Sequence, residues 1–218
     1  ALKKQYRISN FPITDIAAAF RYDVNGAAIE QASARFGSAE LKASLAATRR
    51  DGRYAIDVTA DATNVTAERQ WIDALPRAGQ DVWRKFLPEG QADVKFRAAF
   101  DGERWTPFAQ VDFHDTTFAY HKFAYRARNA FGRLEWRDNT ITVDTTAYVG
   151  REPVRIRTKT INPGPDYTGW AEITAERIDV NEELLAAMPE KSAKLMRSLS
   201  ARGHGSVYAR FDKPTPES

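Results

Sequence analysis

The sequence predicts an α+β fold that is mostly β: a long, curved antiparallel sheet meander with two short helix pairs packed on it or capping it. Three observations predict this fold. Apolar and polar residues alternate over much of the chain, which is the period of a half-buried strand. Turn signals separate the alternating stretches, and sequential strands joined by short turns pair antiparallel. Two proline-interrupted helical segments stand at equivalent places in a tandem repeat.

The first strands are recognised by alternation and by the turns between them. Alternation over 20–24 leads into Asn25-Gly26, a strong signal of a tight hairpin. Alternation resumes over 41–47, and the turn at 51–53 leads into another strand over 54–60. These stretches predict a meander that precedes the first helix pair.

The first helix pair is predicted over 66–87, around the segment "RQWIDALPRA". Trp71, Ile72 and Leu75 form one apolar stripe. Pro76 is expected to start the second helix, because the N–H that proline lacks would be unbonded at that position. Gly90 ends the pair, and an exit strand follows to residue 100.

Five or six strands are expected between the two helix pairs, and the second pair is predicted over 180–199 around "EELLAAMPEK". Turns at Asp138-Asn139 and Gly150 and a loop over 162–166 divide these strands. After Pro189 the apolar stripe continues at Leu195, Met196 and Leu199. We expect each pair to bury its stripe on the apolar face of the sheet.

The two helix pairs define the repeat. Placing Pro76 over Pro189 gives an offset of 189 − 76 = 113, which aligns residues 64–99 with 177–212. The alignment predicts one unit over 1–100, a second over 101–212, and a tail or linker over 213–218. We expect the chain to be a piece of a longer protein.

Composition limits the classes of function. Hydrophobic residues make up 43% and charged residues 28%, as in a globular chain. The absence of cysteine excludes disulfides, thiolate metal sites and a cysteine nucleophile. The net charge of +3 is scattered, so no nucleic-acid partner is expected. No glycine-rich nucleotide loop follows a strand, and no cofactor is expected.

The sequence gives only weak support to two candidate sites, one for a metal ion and one for carbohydrate hydrolysis. His114, Asp115 and His121 suggest a metal site, but their spacing along antiparallel strands favours exposed strand or turn residues, so no metal site is expected. A carbohydrate-active enzyme would need two carboxylates in a cleft with aromatic walls. Asp112 and Glu135 are the candidates, and the aromatic residues near them would be Trp105, Trp136 and Trp170. We expect no catalytic residues and no enzyme.

Aromatic and aliphatic residues at alternating strand positions are the more informative feature. A sheet that helices cover only in part leaves an apolar trough, and large exposed apolar patches are rare without a partner. The predicted lining is Phe20, Tyr22, Leu41, Leu45, Ile56, Val58, Val94, Phe96, Val111, Phe113, Phe118, Tyr120, Val143, Ile156 and Ile173. Acyl chains or another protein are the candidate occupants.

Residues 123–191 resemble the repeated unit of AsmA-like proteins, the group that includes the TamB and YhdP relatives. The similarity lies in Gly132, Leu134, Trp136 and Asp138 around a strand turn, in Gly150 after the next strand, and in the helix 181–189. The first copy departs from the pattern, because Arg69-Gln70 stand where the second has Glu182-Glu183.

The resemblance implies a periplasmic envelope protein attached to the inner membrane through parts outside this chain. It implies a groove that carries phospholipid or another acyl-chain lipid, or that supports outer-membrane assembly, without catalytic residues or a cofactor. Two alternatives stay open: a structural or adhesive β-module whose sheet edge or aromatics bind another protein or further copies, and a carbohydrate-active enzyme.

Overall fold

The computed structural model describes residues 13–50, 52–67, 80, 83–84, 87–120, 123–188 and 190–217. In this part of the chain, eleven strands form one open sheet in which the spatial order of the strands equals their order in the sequence. Adjacent strands pair antiparallel among the first four strands and among the last five. The predicted α+β fold, mostly β and built as an antiparallel meander, is therefore confirmed.

The elements have the following bounds. The strands before the first predicted helix pair are β1 (Ile13–Asp23), β2 (Gly26–Phe36), β3 (Ala39–Arg50) and β4 (Arg53–Thr66). Six strands lie between the two predicted helix pairs, in agreement with the five or six expected: β5 (Glu89–Phe100), β6 (Trp105–Tyr120), β7 (Phe123–Arg137), β8 (Thr140–Val149), β9 (Glu152–Ile161) and β10 (Thr168–Asp179). The chain continues with α1 (Glu182–Ala187), α2 (Glu190–Ser198) and β11 (His204–Lys213).

The predicted hairpin turns are present. Between β1 and β2, the Asp23 carboxylate accepts the N–H of Asn25 at 2.7 Å and of Gly26 at 3.1 Å. Between β7 and β8, Asp138 and Asn139 both have positive φ, 48° and 60°. Two consecutive residues with positive φ are the geometry of the tight hairpin turn whose twist matches that of the strands. Local turn chemistry therefore sets the strand boundaries at these positions.

The first helix pair lies mostly outside the described residues. Trp83 and Arg84 are helical, and the Leu87 N–H donates to the Trp83 carbonyl at 2.8 Å. The apolar stripe of Trp71, Ile72 and Leu75 and the bend at Pro76 fall in the segment that the structure leaves undescribed, so their arrangement stays a prediction.

The second helix pair is confirmed as α1 and α2. Asn181 caps α1, because its side-chain oxygen accepts the Leu184 N–H at 2.9 Å. The α1 helix buries Leu185 to 6% exposure.

The helix α1 also covers the small hydrophobic cluster of the sheet. That cluster consists of Val149, Val154 and Ala175, and Leu184 and Ala187 pack against it. One end of the apolar sheet surface is thus closed by a single short helix.

The helix α2 departs from the prediction. It buries Ala193, but Leu195 and Leu199 are 59% and 67% exposed. The prediction that this stripe packs on the sheet is wrong for Leu195 and Leu199, because both side chains are exposed to solvent.

The chain separates into two compact units, one of Ala1–Thr66 with Asp93–Ala109 and one of Ala67–Ala92 with Gln110–Ser218. The division of the sequence into repeats at residue 100 stays a prediction. One hydrogen bond nevertheless recurs at the offset of 113. The Ala67 N–H donates to the Gly90 carbonyl at 2.8 Å, and the Val180 N–H to the Gly203 carbonyl at 2.9 Å.

The β7–β8 pairing contains a close backbone approach. The register shifts between Arg128 and Phe131, and the Thr145 hydroxyl donates to the Phe131 carbonyl at 3.0 Å. Gly132 has a φ of +144°, and a Cβ at this position would lie 2.3 Å from the Asp144 carbonyl oxygen. Only glycine fits this approach without displacing β8.

Candidate functional site

In the first unit, one face of β1–β4 carries most of the predicted lining. Directly opposite residues in a ladder point to the same side of the sheet. Phe20, Ile29, Leu45 and Val58 form one such row across the four strands. The next row is Tyr22, Ala27, Ala47 and Ile56, and Leu41 lies in a further row between Ala34 and Ala62. We call this side the apolar face of the first unit.

An ion pair shows to which side of the sheet the β5 residues of the predicted lining point. Lys42 lies opposite Asp61 on the other side of the sheet, and Arg97 donates to the Asp61 carboxylate at 3.0 Å. Arg97 therefore points to that polar side. Since side chains alternate along a strand, Val94 and Phe96 lie on the apolar face.

In the second unit, three residues of the predicted lining, Val143, Ile156 and Ile173, share one face. Ile156 lies opposite Ile173 and opposite Thr145, which is two residues from Val143 on the same strand. We call this side the apolar face of the second unit. The sequence interpretation omitted Leu134, Trp136, Val207, Ala209 and Phe211, which the register places on this face. Strand alternation was the signal that identifies them.

In strand β6 the alternation of side chains between the two sides of the sheet is interrupted once. Asp112 pairs with Arg133 on the polar side, so Val111 and Phe113 point to the apolar face. Asp115 has a φ of 57°, and beyond it Phe118 makes an edge-on contact with Phe113 at 5.3 Å between ring centroids. The interruption at Asp115 shifts the alternation by one residue, and both rings stay on the same side. The side chain of Tyr120 is outside the described part of the chain.

The apolar faces are incompletely covered. Phe20 is 68% and Tyr22 is 76% exposed, and Phe211 is 63% exposed. Phe96, Val143, Ile156 and Ile173 are half-buried. Among the described residues no large side chain is fully buried. Each unit therefore presents apolar side chains to solvent on its own apolar face.

The opposite side of the second unit carries a ladder of alternating charge. Arg133, Asp144, Arg157, Glu172 and Arg210 lie directly opposite one another across β7 to β11. Each unlike pair stabilises its strand pairing, and like charges never face each other in this row. We call this row the charge ladder.

Glu172 is the most buried member of the charge ladder, at 7% exposure. It accepts the Arg157 Nε–H at 3.1 Å and the Tyr208 hydroxyl at 3.2 Å. The hydrogen bonds from Arg157 lower the pKa of Glu172, and the charge of Arg210 adds to this effect. In the same way the hydrogen bonds from Arg155 lower the pKa of Asp144. The polar side is thus fixed by ionised pairs.

The two carboxylates considered for a carbohydrate-active enzyme both have arginine partners. Asp112 accepts Arg133 Nε–H and Gln110 Nε2–H, each at 2.6 Å, and Glu135 pairs with Arg137 at 3.2 Å. Trp136 points to the other side of the sheet from Glu135.

The remaining aromatic and metal candidates lie elsewhere. Trp170 lies under the Arg210 guanidinium at 4.9 Å, and Trp105 stacks on Phe100 at 5.2 Å. No cluster of three metal-binding side chains occurs in the described ranges, and His121 is outside them. His114 is exposed on β6.

Within the described residues, no helix has the length and apolar character needed to cross a bilayer. The chain matches no protein-family model, and neither a curated protein nor a solved structure is significantly similar to it.

Proposed function

We propose that this chain is the lipid-binding segment of an AsmA-like envelope protein, and that its apolar faces hold the acyl chains of phospholipid. In this proposal the parent protein is attached to the inner membrane and extends through the periplasm. Phospholipid moves towards the outer membrane along the sheet, and the chain uses neither a catalytic residue nor a cofactor.

The exposed apolar face is the observation that carries the proposal. In a row such as Phe20–Ile29–Leu45–Val58, apolar side chains continue from strand to strand; Phe20 is exposed and the other three are half-buried. Soluble proteins rarely leave such a surface without a partner. The opposite side is polar, so a ligand without charge along its length has only one side to bind.

The energy of the apolar contact is sufficient for an acyl chain. Each methylene that leaves water contributes about 0.8 kcal/mol. If about eight methylenes of one chain are covered by side chains such as Phe20, Ile56 and Val58, the gain is about 6 kcal/mol. An acyl chain needs no directed polar contact in addition to this burial.

Site-specific photo-crosslinking tests the proposal. A benzophenone amino acid at Phe20 places the reactive group on the apolar face, and the same group at Arg21 places it on the polar side. We expect a phospholipid adduct, detected by mass spectrometry after expression in a diderm bacterium, at Phe20 and not at Arg21. Equal adduct formation at the two positions, or none at either, would refute the proposed face.

A pair of charge substitutions gives an independent test. Leu45→Lys puts an ammonium group on the apolar face, and Ser44→Lys puts one on the polar side of the same strand. We expect co-purifying phospholipid to fall several-fold in the first variant only, with both variants retaining the circular dichroism of the sheet. Absence of lipid in the unmodified protein, together with a protein partner in pull-down, would favour the adhesive module instead.

A further inference from the structure

A cation and a tyrosine lie together at one end of the apolar face of the first unit. This is the end at which β1 turns into β2 and β3 turns into β4. Arg49 is two residues beyond Ala47 on β3 and directly opposite Tyr54 on β4, so both side chains point to the apolar face. Arg49 is exposed, and Tyr54 is 55% exposed. This end of the face therefore carries a positive charge and a phenol.

The second unit has the same two kinds of side chain at the end where β7 turns into β8 and β9 turns into β10. Lys213 is opposite Gly169 and two residues beyond Phe211, which places it on the apolar face. Its Nζ atom lies 4.2 Å from the centroid of the Tyr167 ring. The opposite end of this face is covered by α1. We call Arg49 with Tyr54, and Lys213 with Tyr167, the cation–tyrosine pairs.

Neither cation of these pairs has a carboxylate partner in the described part of the chain. Arginines of the polar side, in contrast, lie beside carboxylates: Arg21 is 3.5 Å from Glu30, and Arg155 is 2.8 Å from Asp144. Arginine and lysine bury their stems along an apolar surface and keep the charged group in water. Tyrosine is enriched where an apolar medium meets water, as at the headgroup level of a bilayer. The cation–tyrosine pairs thus have the chemistry of that boundary.

Each apolar face is long enough to hold an acyl chain that starts at its cation–tyrosine pair. Eight residues separate Arg49 from Leu41 (49 − 41), which is about 27 Å along β3. Six residues separate Lys213 from Val207 (213 − 207), which is about 20 Å along β11. One acyl chain spans half the hydrocarbon core of a bilayer, about 15 Å. A chain that lies along the strands therefore fits on either face.

We propose that the cation–tyrosine pairs bind the phosphate group of the phospholipid, and that the acyl chains run from there along the strands. This inference rests on the proposed function of the apolar faces, and it adds the chemical class of the headgroup and the direction of the bound lipid. A guanidinium or ammonium group donates charge-assisted hydrogen bonds to phosphate oxygens, and the phenol O–H is a further donor.

Substitutions that remove the cations test the proposal. The double variant Arg49→Gln with Lys213→Gln removes both positive charges. The double variant Lys42→Gln with Lys159→Gln makes the same change in net charge on the polar side and is the matched control. The probes are phosphatidylglycerol and diacylglycerol with the same acyl chains. Lipid that stays with the protein through gel filtration is counted by mass spectrometry, and diacylglycerol reports burial of the acyl chains alone because it lacks phosphate.

We expect the double variant Arg49→Gln with Lys213→Gln to bind phosphatidylglycerol about tenfold more weakly than the unmodified protein, and diacylglycerol equally well. A factor of ten corresponds to about 1.4 kcal/mol, close to the lower limit for a hydrogen bond to a charged group. The control variant should bind both lipids as the unmodified protein does. Circular dichroism of each variant confirms that the sheet has formed.

Three outcomes separate the possible failures. Unchanged binding of phosphatidylglycerol by the double variant would overturn the cation–tyrosine pairs and leave the proposed function intact. Displacement of phosphatidylglycerol by an equal concentration of inorganic phosphate would show a site for free phosphate, and it would overturn the proposal as well. Absence of both lipids from the unmodified protein would refute the proposed function itself.

A photoreactive lipid tests the direction of the acyl chain. With a diazirine at the methyl end of the chain, we expect the label on β3 near Leu41 and not near Arg49, as mapped by mass spectrometry of peptides. Labelling around Arg49 in place of Leu41 would overturn the proposed direction.

Discussion

Gly132→Ala tests the close approach between β7 and β8. The new Cβ would lie 2.3 Å from the Asp144 carbonyl oxygen and 2.5 Å from the Thr145 Cα. These are backbone atoms of the neighbouring strand, so β8 has to move away and weaken the pairing. Overpacking of this kind costs about 1–3 kcal/mol. A non-glycine residue at a φ of +144° adds about 1–3 kcal/mol. We expect a local loss of about 2–6 kcal/mol.

Hydrogen exchange measured by mass spectrometry over 128–148 is the assay. Because each 1.4 kcal/mol is about tenfold in an equilibrium constant, 2 kcal/mol raises the exchange rate of the β7–β8 amides about 30-fold. Gly150→Ala is the matched control: it has a φ of +62° but no atom within 4 Å of the new Cβ. In Gly150→Ala, the left-handed backbone conformation alone lowers the stability by about 1–2 kcal/mol. Equal exchange in the two variants would refute the steric argument.

Three further predictions concern the charge ladder and α1. Because Arg157 lowers the pKa of Glu172, this carboxylate stabilises the fold above its usual pKa range, and the contribution is lost as pH falls through the lowered pKa. Lowering the pH below 5 should therefore reduce the free energy of unfolding of the wild type more than that of Glu172→Gln, as measured by urea denaturation. Parallel pH profiles of the two proteins would contradict this. Asn181→Ala removes the cap of α1 and should cost about 1 kcal/mol in urea denaturation, against no change for the exposed Glu183→Ala. Leu185→Ala should cost about 2–5 kcal/mol and speed hydrogen exchange in α1, and unchanged exchange would argue against its packing role.

The turns and the two-sided character of the sheet were predictable because both depend on local chemistry. Asn25-Gly26 and Asp138-Asn139 favour the positive φ angles of a tight turn, and few other residue pairs do. Alternation along a strand assigns each side chain to one side of the sheet without knowledge of the neighbouring strands. The same reasoning placed Phe20 and Val58 on one face although 38 residues separate them (58 − 20).

Features that depend on tertiary contacts were not predictable. The irregularity at Asp115 shifts the alternation of β6, and nothing in the local pattern marks it. The exposure of Leu195 and Leu199 was not predicted either. An apolar stripe identifies the apolar face of a helix, but it does not show what packs against that face. The charge ladder required the register of five strands, whereas the sequence shows only scattered charges.

The identity of strand order and sequence order has a consequence for folding. Each strand pairs with its neighbours in the chain, so most of the loops to be closed are short and their entropy cost is small. The stability of such a ladder is close to a sum of nearest-neighbour terms, and among the described residues no large buried core ties distant strands together. Strands can therefore form and open one hairpin at a time, so that the chain gains order progressively and a break at one hairpin leaves the pairs beyond it intact.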